Sequence, residues 1–368
     1  MNISTTRKEL QRAFSKLIKT TQARSQTPLI NYTYISSGAH GVTLHSTDLE
    51  VGIKTTITAS VNTNGEGLFP TTELNDIISV IDEGRVDIEI AGPHINIKSE
   101  NGTSFDIPTL SFQEYPKVPE NKHETVYNIN TSELKRILDA IIYAVNKDQL
   151  KPALSGALFS FSEEGLNFVS TDGHRLVVVA KKNESNIIED FIIPKKYLNM
   201  LSSFIQGQKE SSLIFSNNHV FINNDRDVLY SRLIDEKYPN YSAVIPQDNS
   251  YVLKLQKEDF LNSIKATSIA TNKNTNQISL NLALGEVFLK SVNQPESKTV
   301  YAPLKTAEYD GEKISIGFNA TYLKEAIMNY PSEEILFVFK DELSATLLLP
   351  ETKNYKTTIL LMPVRINE

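Results

Sequence analysis

Apolar residues recur along the chain at helical spacing in six places, and at alternate positions between them. Leu10, Ala13, Phe14, Leu17 and Ile18 share one helical face, and Thr6 with Glu9 has the spacing of a capping box that would start this helix. A second helix is expected after Gly67-Leu68-Phe69-Pro70-Thr71, with Leu74, Ile77, Ile78 and Ile81 on its buried side. Strict alternation predicts strands at Leu49, Val51 and Ile53, with Glu50 and Lys54 interposed, and at Val86, Ile88 and Ile90, with Asp87 and Glu89 interposed. Tyr115-Pro116-Lys117-Val118-Pro119 closes the segment as an extended linker.

The same order then returns. Asn130 and Glu133 stand as cap and N3 residue of a helix bearing Leu134, Ile137, Leu138, Ile141 and Val145. Strands are expected around Phe161 and Phe168, and Ile193-Pro194-Lys195-Lys196 opens a helix with Leu198, Leu201, Phe204 and Ile205. Four landmarks keep step: Leu10 to Leu134, Thr47 to Thr171 and Pro70 to Pro194 are each 124 residues, and Tyr115 to Tyr238 is 123. A fainter third round has a helix at Glu258, Phe260, Leu261 and Ile264, and alternation at Leu280, Leu282 and Leu284. Ile316-Gly317-Phe318-Asn319-Ala320 then precedes a helix carrying Leu323, Ala326 and Ile327, while the Thr-Asp landmark gives way to Val292-Asn293. The reading is α+β: three similar sheet-plus-two-helix domains in tandem.

Composition changes this picture only by exclusion. At 368 residues the chain is too long for one core, and its 40% apolar residues suffice for several. Without cysteine there is no disulfide framework, thiolate metal site or cysteine nucleophile. The six histidines lack metal-site spacing, Gly65-Glu66-Gly67 is no nucleotide loop, and the carboxylate pairs Asp87/Glu89 and Asp225/Asp227 read as solvated faces. Ser170, Asp172 and His174 are candidates for a catalytic group, but strand alternation gives them no activating geometry. No cofactor is expected, and without a signal peptide or an apolar run near ~20 residues the expected location is cytoplasmic, off the membrane.

Charge is uneven. The net charge is −7, yet the first helical segment carries Arg7, Lys8, Arg12, Lys16, Lys19 and Arg24 against Glu9 alone. Taken together the helical segments are basic and the strands and loops acidic, with residues 71 to 82 running the other way. This is the distribution expected if helices meet phosphates, although lysine's helix propensity produces a similar bias.

Thr171-Asp172-Gly173-His174-Arg175-Leu176 forms a strand with a sharp polar break. Together with Ile193-Pro194-Lys195, Tyr238-Pro239-Asn240-Tyr241, Ile316-Gly317-Phe318-Asn319-Ala320-Thr321-Tyr322 and Met362-Pro363-Val364-Arg365, it closely resembles the bacterial sliding clamps, the beta subunits of DNA polymerase III. The resemblance spans the chain and implies domains at 1–122, 123–247 and 248–368. It implies a homodimer closed into a six-domain ring, helices inside around double-stranded DNA and sheets outside. Such a protein is a non-catalytic processivity factor, loaded by a separate clamp loader. It tethers the DNA polymerase III alpha subunit, and other polymerases or repair proteins, through their short linear motifs. A specialised second clamp copy, or a peptide-binding scaffold acting in repair, is the alternative reading.

Carried over by position, the partner-peptide pocket falls on Leu154, Thr171, Gly173, His174, Arg175, Leu176, Pro239, Val244, Leu360, Leu361, Met362, Pro363, Val364 and Arg365, with Tyr322 nearby. Such a hollow would receive apolar side chains, with His174 and Arg175 offering donors at the rim. Arg24, Lys147, Gln149 and Lys151 match DNA-contacting positions, and Phe105 and Ile269 match the dimer seam. The sequence departs from the family at Ala243, where many clamps have arginine, at Thr27-Pro28, at Ala270, and in the terminal Asn367-Glu368.

Overall fold

The computed structural model describes residues 1–21, 27–38, 41–120, 124–148, 150–216, 218–272, 275–351 and 355–366. One succession of elements is laid down three times. The first round is β1 (Asn2–Thr6), α1 (Arg7–Leu17), β2 (Tyr32–Gly38), β3 (Gly41–Thr47), β4 (Val51–Ile57), β5 (Ser60–Thr63), β6 (Glu66–Pro70), α2 (Thr71–Val80), β7 (Arg85–Ala91), β8 (His94–Ser99) and β9 (Ser104–Pro108). The second is β10 (Thr125–Asn130), α3 (Thr131–Ile141), β11 (Gly156–Phe161), β12 (Leu166–Thr171), β13 (Arg175–Lys181), β14 (Glu189–Pro194), α4 (Lys195–Phe204), β15 (Glu210–Phe215), β16 (His219–Asn224) and β17 (Asp227–Arg232). The third is β18 (Tyr251–Gln256), α5 (Lys257–Ser268), β19 (Gln277–Ala283), β20 (Glu286–Asn293), β21 (Lys298–Pro303), β22 (Glu308–Tyr309), β23 (Ile314–Asn319), α6 (Ala320–Met328), β24 (Glu334–Phe339), β25 (Thr346–Leu348) and β26 (Lys356–Leu361). In each round a strand runs straight into a helix, a meander follows, and its last strand runs into the second helix.

The chain divides into two compact units that cut across the rounds. Unit 1 comprises Met1–Thr131 and Asn199–Leu233 and holds a five-stranded sheet, β5-β1-β7-β8-β9, and an eight-stranded one, β10-β15-β16-β17-β4-β3-β2-β6. Unit 2 comprises Ser132–Leu198 and Ile234–Glu368 and holds a nine-stranded sheet, β14-β11-β12-β13-β26-β25-β24-β18-β22, and a four-stranded one, β21-β20-β19-β23. The larger sheet of each unit is shared by two rounds. In unit 1 β17 pairs antiparallel with β4, and in unit 2 β13 pairs antiparallel with β26. Among the described residues the smaller sheets end on edge strands paired on one side alone, β5 and β9 in unit 1 and β21 and β23 in unit 2.

Alternation does the sorting. Ile35, Val42, Leu44 and Ile53 of the first round are buried on the face toward Leu10, Phe14 and Leu17 of α1. Six expected helices form, each ending within a few residues of its expected limit. The first is only half a capping box: Thr6 Oγ1 accepts from Glu9 N–H at 3.3 Å, while the Glu9 carboxylate accepts from Thr58 N–H at 2.9 Å.

Three expectations are corrected. Leu49 is not a strand residue: it sits in the turn between β3 and β4 at φ 76°, 59% exposed. Leu284 likewise leaves its strand and is exposed in the turn before Gly285. The basic face of α1 is in part internal to unit 1, because Arg12 and Lys16 both pair with the carboxylate of Asp227 on β17, which is buried and not on the solvated face expected of it, and Arg7 pairs with Glu83. No described helix is long and apolar enough to cross a membrane.

Candidate functional site

Unit 2 concentrates apolar side chains on the face of β11–β14 opposite its helices. Ile192, Leu158, Val169 and Val178 stand side by side in one cross-strand row, since Leu158 pairs with both Ile192 and Val169, and Val169 with Val178. They join Leu176, Leu347, Leu360 and Tyr238 in one cluster, against which Ala153, Leu154, Ile234, Tyr241 and Ile245 pack half-buried. The row was not singled out from the sequence, although the i, i+2 spacing in each strand carries it.

A turn fixes one end of this surface. Between β12 and β13, Thr171 Oγ1 donates to Arg175 O at 2.6 Å and accepts from Gly173 N–H at 3.0 Å. Asp172 Oδ1 accepts from His174 N–H at 3.0 Å and Arg175 N–H at 3.1 Å. Gly173 at φ 90° supplies the left-handed residue that this double cap requires. The first round repeats the network bond for bond: Thr47 Oγ1 to Val51 O at 3.0 Å, Leu49 N–H to Thr47 Oγ1 at 3.0 Å, and Glu50 and Val51 N–H to Asp48 Oδ1 at 3.1 and 2.8 Å. The 124-residue register is therefore a register of hydrogen bonds.

The C-terminal strand fixes the other end. Leu360 and Leu361 on β26 pair with Leu176 and Arg175, and Met362 N–H continues the ladder to His174 O at 2.9 Å. Val364 then bridges to Gly317. A Cβ at Gly317 would stand 2.3 Å from Val364 O, so the tail docks there only over glycine.

The expected pocket residues divide by exposure. Leu176, Leu360 and Leu361 are buried, Leu154, Thr171, Tyr322, Pro363 and Val364 are half-buried, and Gly173, His174, Pro239, Val244, Met362 and Arg365 are exposed. Val244 and Met362, at 55% and 43%, are apolar groups left open to water beside an apolar floor. Arg175 corrects the expectation of a rim donor. It is 4% exposed, and its guanidinium is spent on Asp172 Oδ2 at 3.0 Å, on Glu325 and on Tyr143 O at 2.6 Å. Its carbon centre lies 5.1 Å from the Tyr143 ring and 4.6 Å from that of Tyr322. Arg175 is thus a brace for the turn, and His174, whose ring stacks on Tyr322 at 5.8 Å, is the group left at the surface.

Ser170, Asp172 and His174 do not assemble into a relay. The Ser170 hydroxyl donates to Ile141 O at 2.6 Å, and Asp172 is held by backbone N–H groups and Arg175. No group of three or more metal-ligating side chains stands together among the described residues.

Lys147 and Lys151 are exposed, as is Leu150 between them at 88%. Arg24, Gln149, Asn367 and Glu368 lie outside the described residues. Phe105 is half-buried on β9, and Ile269, 79% exposed, caps α5, which packs on β20 and β21.

Three family models match end to end: the DNA polymerase III beta subunit N-terminal domain at residues 1–119, the central domain at 128–240 and the C-terminal domain at 242–365. Among curated relatives, beta sliding clamps of Pseudomonas putida and Bacillus subtilis are each 24% identical over 99% or more of both chains, and that of Rickettsia bellii is 26% identical over 88% of each. Among solved structures, the DNA polymerase III subunit beta of Pseudomonas aeruginosa has a TM-score of 0.91 at 23% identity. A sliding clamp of Bartonella birtlesii, bound to griselimycin, has 0.93 at 24%. Both comparisons cover the whole of each chain. With three rounds of one fold, matched in order along its length, the chain belongs to the family of DNA polymerase III beta subunits, the beta sliding clamps.

Proposed function

We propose that this chain is a processivity clamp: two copies close a ring around duplex DNA and hold a polymerase to it without catalysing any reaction. The observation that carries the reading is the pair of unfinished sheets. Within the chain the large sheets are completed by strands of two successive rounds, whereas the five- and four-stranded sheets end on β9 and β21. An unpaired edge is a template for another strand. Joining β9 of one copy to β21 of a second makes a nine-stranded sheet like the one inside unit 2, and doing so twice closes the ring. Phe105 lies on β9 and Ile269 caps the helix that packs on β21, and both are assigned to the seam. Lys147 and Lys151, with Arg24 and Gln149, are assigned to DNA, where weak phosphate contacts suit a ring that must slide.

The apolar hollow of unit 2 is the tether. Its floor takes the apolar side chains of short linear motifs from the polymerase alpha subunit or repair proteins, and Met362 with Val244 adapts the rim to different occupants. A separate loader opens the ring, and the protein works in the cytoplasm. After incubation with a loader and ATP, the protein is expected to stay on circular duplex DNA through gel filtration and to leave once the circle is cut. Retention on neither form would leave only a peptide-binding scaffold, and equal retention on both would mean binding without encirclement. Met362→Asp is expected to weaken a polymerase-tail peptide about a hundredfold by fluorescence anisotropy without changing the dimer.

A further inference from the structure

The first round carries a second cavity that the clamp reading does not use. It measures about 370 Å³ and lies entirely within unit 1, on the face of β2–β4 opposite that of Ile35, Leu44 and Ile53, under the segment Phe112–Val118. We propose that this cavity is a second peptide-binding site, selective for an aromatic residue with a polar tip, tyrosine or tryptophan, flanked by an acidic residue.

Position by position the cavity is the first-round counterpart of the apolar hollow in unit 2, and the peptide class rests on the reading of that hollow. Shifting by 124 residues takes Tyr34 to Leu158, His45 to Val169 and Lys54 to Val178. The cross-strand pairing is preserved, since Tyr34 pairs with His45 and His45 with Lys54. The Thr47-Asp48 turn stands where the Thr171-Asp172 turn does, and Tyr115-Pro116 where Tyr238-Pro239 does. The scaffold is shared and the chemistry of the floor is exchanged: three aliphatic side chains become a phenol, an imidazole and an ammonium.

That exchange specifies the occupant. Tyr34 and Tyr115 stack at 5.8 Å, and Phe112 lies tilted 6.3 Å from Tyr34, so aromatic faces line the walls. A planar ring is the complement of such walls. At the floor His45, 4% exposed, meets Tyr115 edge-on, with its Nε2 2.7 Å from the Tyr230 hydroxyl. The hydroxyls of Ser36 and Thr43 lie 2.8 Å apart in the lining. His45 Nε2 is taken by Tyr230, but the Ser36 and Thr43 oxygens keep lone pairs for an O–H or N–H tip, which an aliphatic lining does not offer. At the rim Glu66 is bonded to Tyr34, and Lys54 with Lys117 leaves the lining one positive charge in excess, which favours a carboxylate on the lysine side of the ring. The volume lies within the range of small-ligand sites.

The test uses the full-length dimer and the fluorescein-labelled pentapeptide Gly-Asp-Trp-Asp-Gly, with Gly-Asp-Ala-Asp-Gly as control. Wild type is expected to bind the tryptophan peptide about tenfold more tightly than the control. Thr43→Trp, which fills the cavity, and Tyr34→Leu, which copies Leu158, are expected to abolish that preference. Met362→Asp, which spoils the unit 2 hollow, is expected to leave it intact. If Thr43→Trp does not fold, Tyr34→Leu decides. No preference in wild type, or preference surviving Tyr34→Leu, overturns the proposal. Preference lost only in Met362→Asp also overturns it, by placing the probe in the unit 2 hollow, and leaves the reading of that hollow standing.

Discussion

Asp227 is the residue on which the strand junction of unit 1 turns. It is 5% exposed at the start of β17, where its carboxylate meets Arg12 and Lys16 of α1 and the hydroxyl of Thr55 on β4. Burial pushes its pKa up, but the bonds from Lys16 and Thr55 and the two cations outweigh that and hold it below the usual carboxylate range. Asp227→Asn keeps the shape and removes the charge that three donors face. We expect a loss of about 1–3 kcal/mol in urea unfolding, read from a lower midpoint at unchanged slope. His45 titrates in a different window. Burial, helped by Lys54, lowers its pKa to about 4, so the fold holds the ring neutral. Its contribution is complete above the unfolded value near 6.5 and is lost as pH falls toward 4, because the unfolded chain takes up the proton first. Asp227 adds a second loss only below its own unfolded value of about 3.8. Stability followed by urea midpoint should therefore decline between pH 6.5 and 4, and His45→Val should flatten that limb while leaving the steeper fall below pH 4. An unchanged limb in His45→Val would mean that other groups drive it.

Among elements, the Thr-Asp turn is where sequence and structure agree most closely. Its spacing was legible because both copies keep a threonine and an aspartate whose short side chains bond the backbone C=O and N–H groups of the next few residues. The helices were legible for the same local reason. What the sequence hid is whatever joins distant elements. Arg175 reads as an available donor until Glu325, 150 residues on, takes up one arm of its guanidinium. The sharing of sheets between rounds leaves no local trace either, because a strand pairs equally well with any neighbour of matching pattern. Leu49 was misread because a leucine at φ 76° defeats the rule that such positions hold glycine. Its side chain is largely exposed, so Leu49→Gly gives up little packing and relieves the backbone. We expect a gain of about 0.5–1 kcal/mol in thermal or urea unfolding. Gly173→Leu at the matching position should cost a similar amount. Gly317→Val acts on a different element: the clash with Val364 O should lift the tail from β23 and weaken a polymerase-tail peptide, with Tm nearly unchanged.

At the scale of the whole molecule, a closed two-copy ring multiplies any defect at its seam. A head-to-tail dimer contains the β9–β21 junction twice, so a substitution on either side of it appears twice per ring. Ile269 is the informative position, since it is a largely exposed isoleucine at the cap of α5, the helix that packs on β21. If burying it at one seam contributes about 1.5 kcal/mol, removing it from both costs about 3 kcal/mol of dimer free energy, which is a factor of about a hundred in the dissociation constant. Ile269→Asp should therefore shift the monomer–dimer equilibrium by two decades in sedimentation equilibrium, about twice the logarithmic shift that a single-contact dimer would give. Phe105→Asp should act similarly, and because the two side chains are assigned to one junction, the double variant should lose less than the sum of the two. Binding of a tail peptide should be unchanged in all three, since the unit 2 hollow lies within one chain. Additive losses would separate Phe105 from Ile269 and place them in different contacts, and an unshifted dimer in Ile269→Asp would remove the α5 end from the seam altogether.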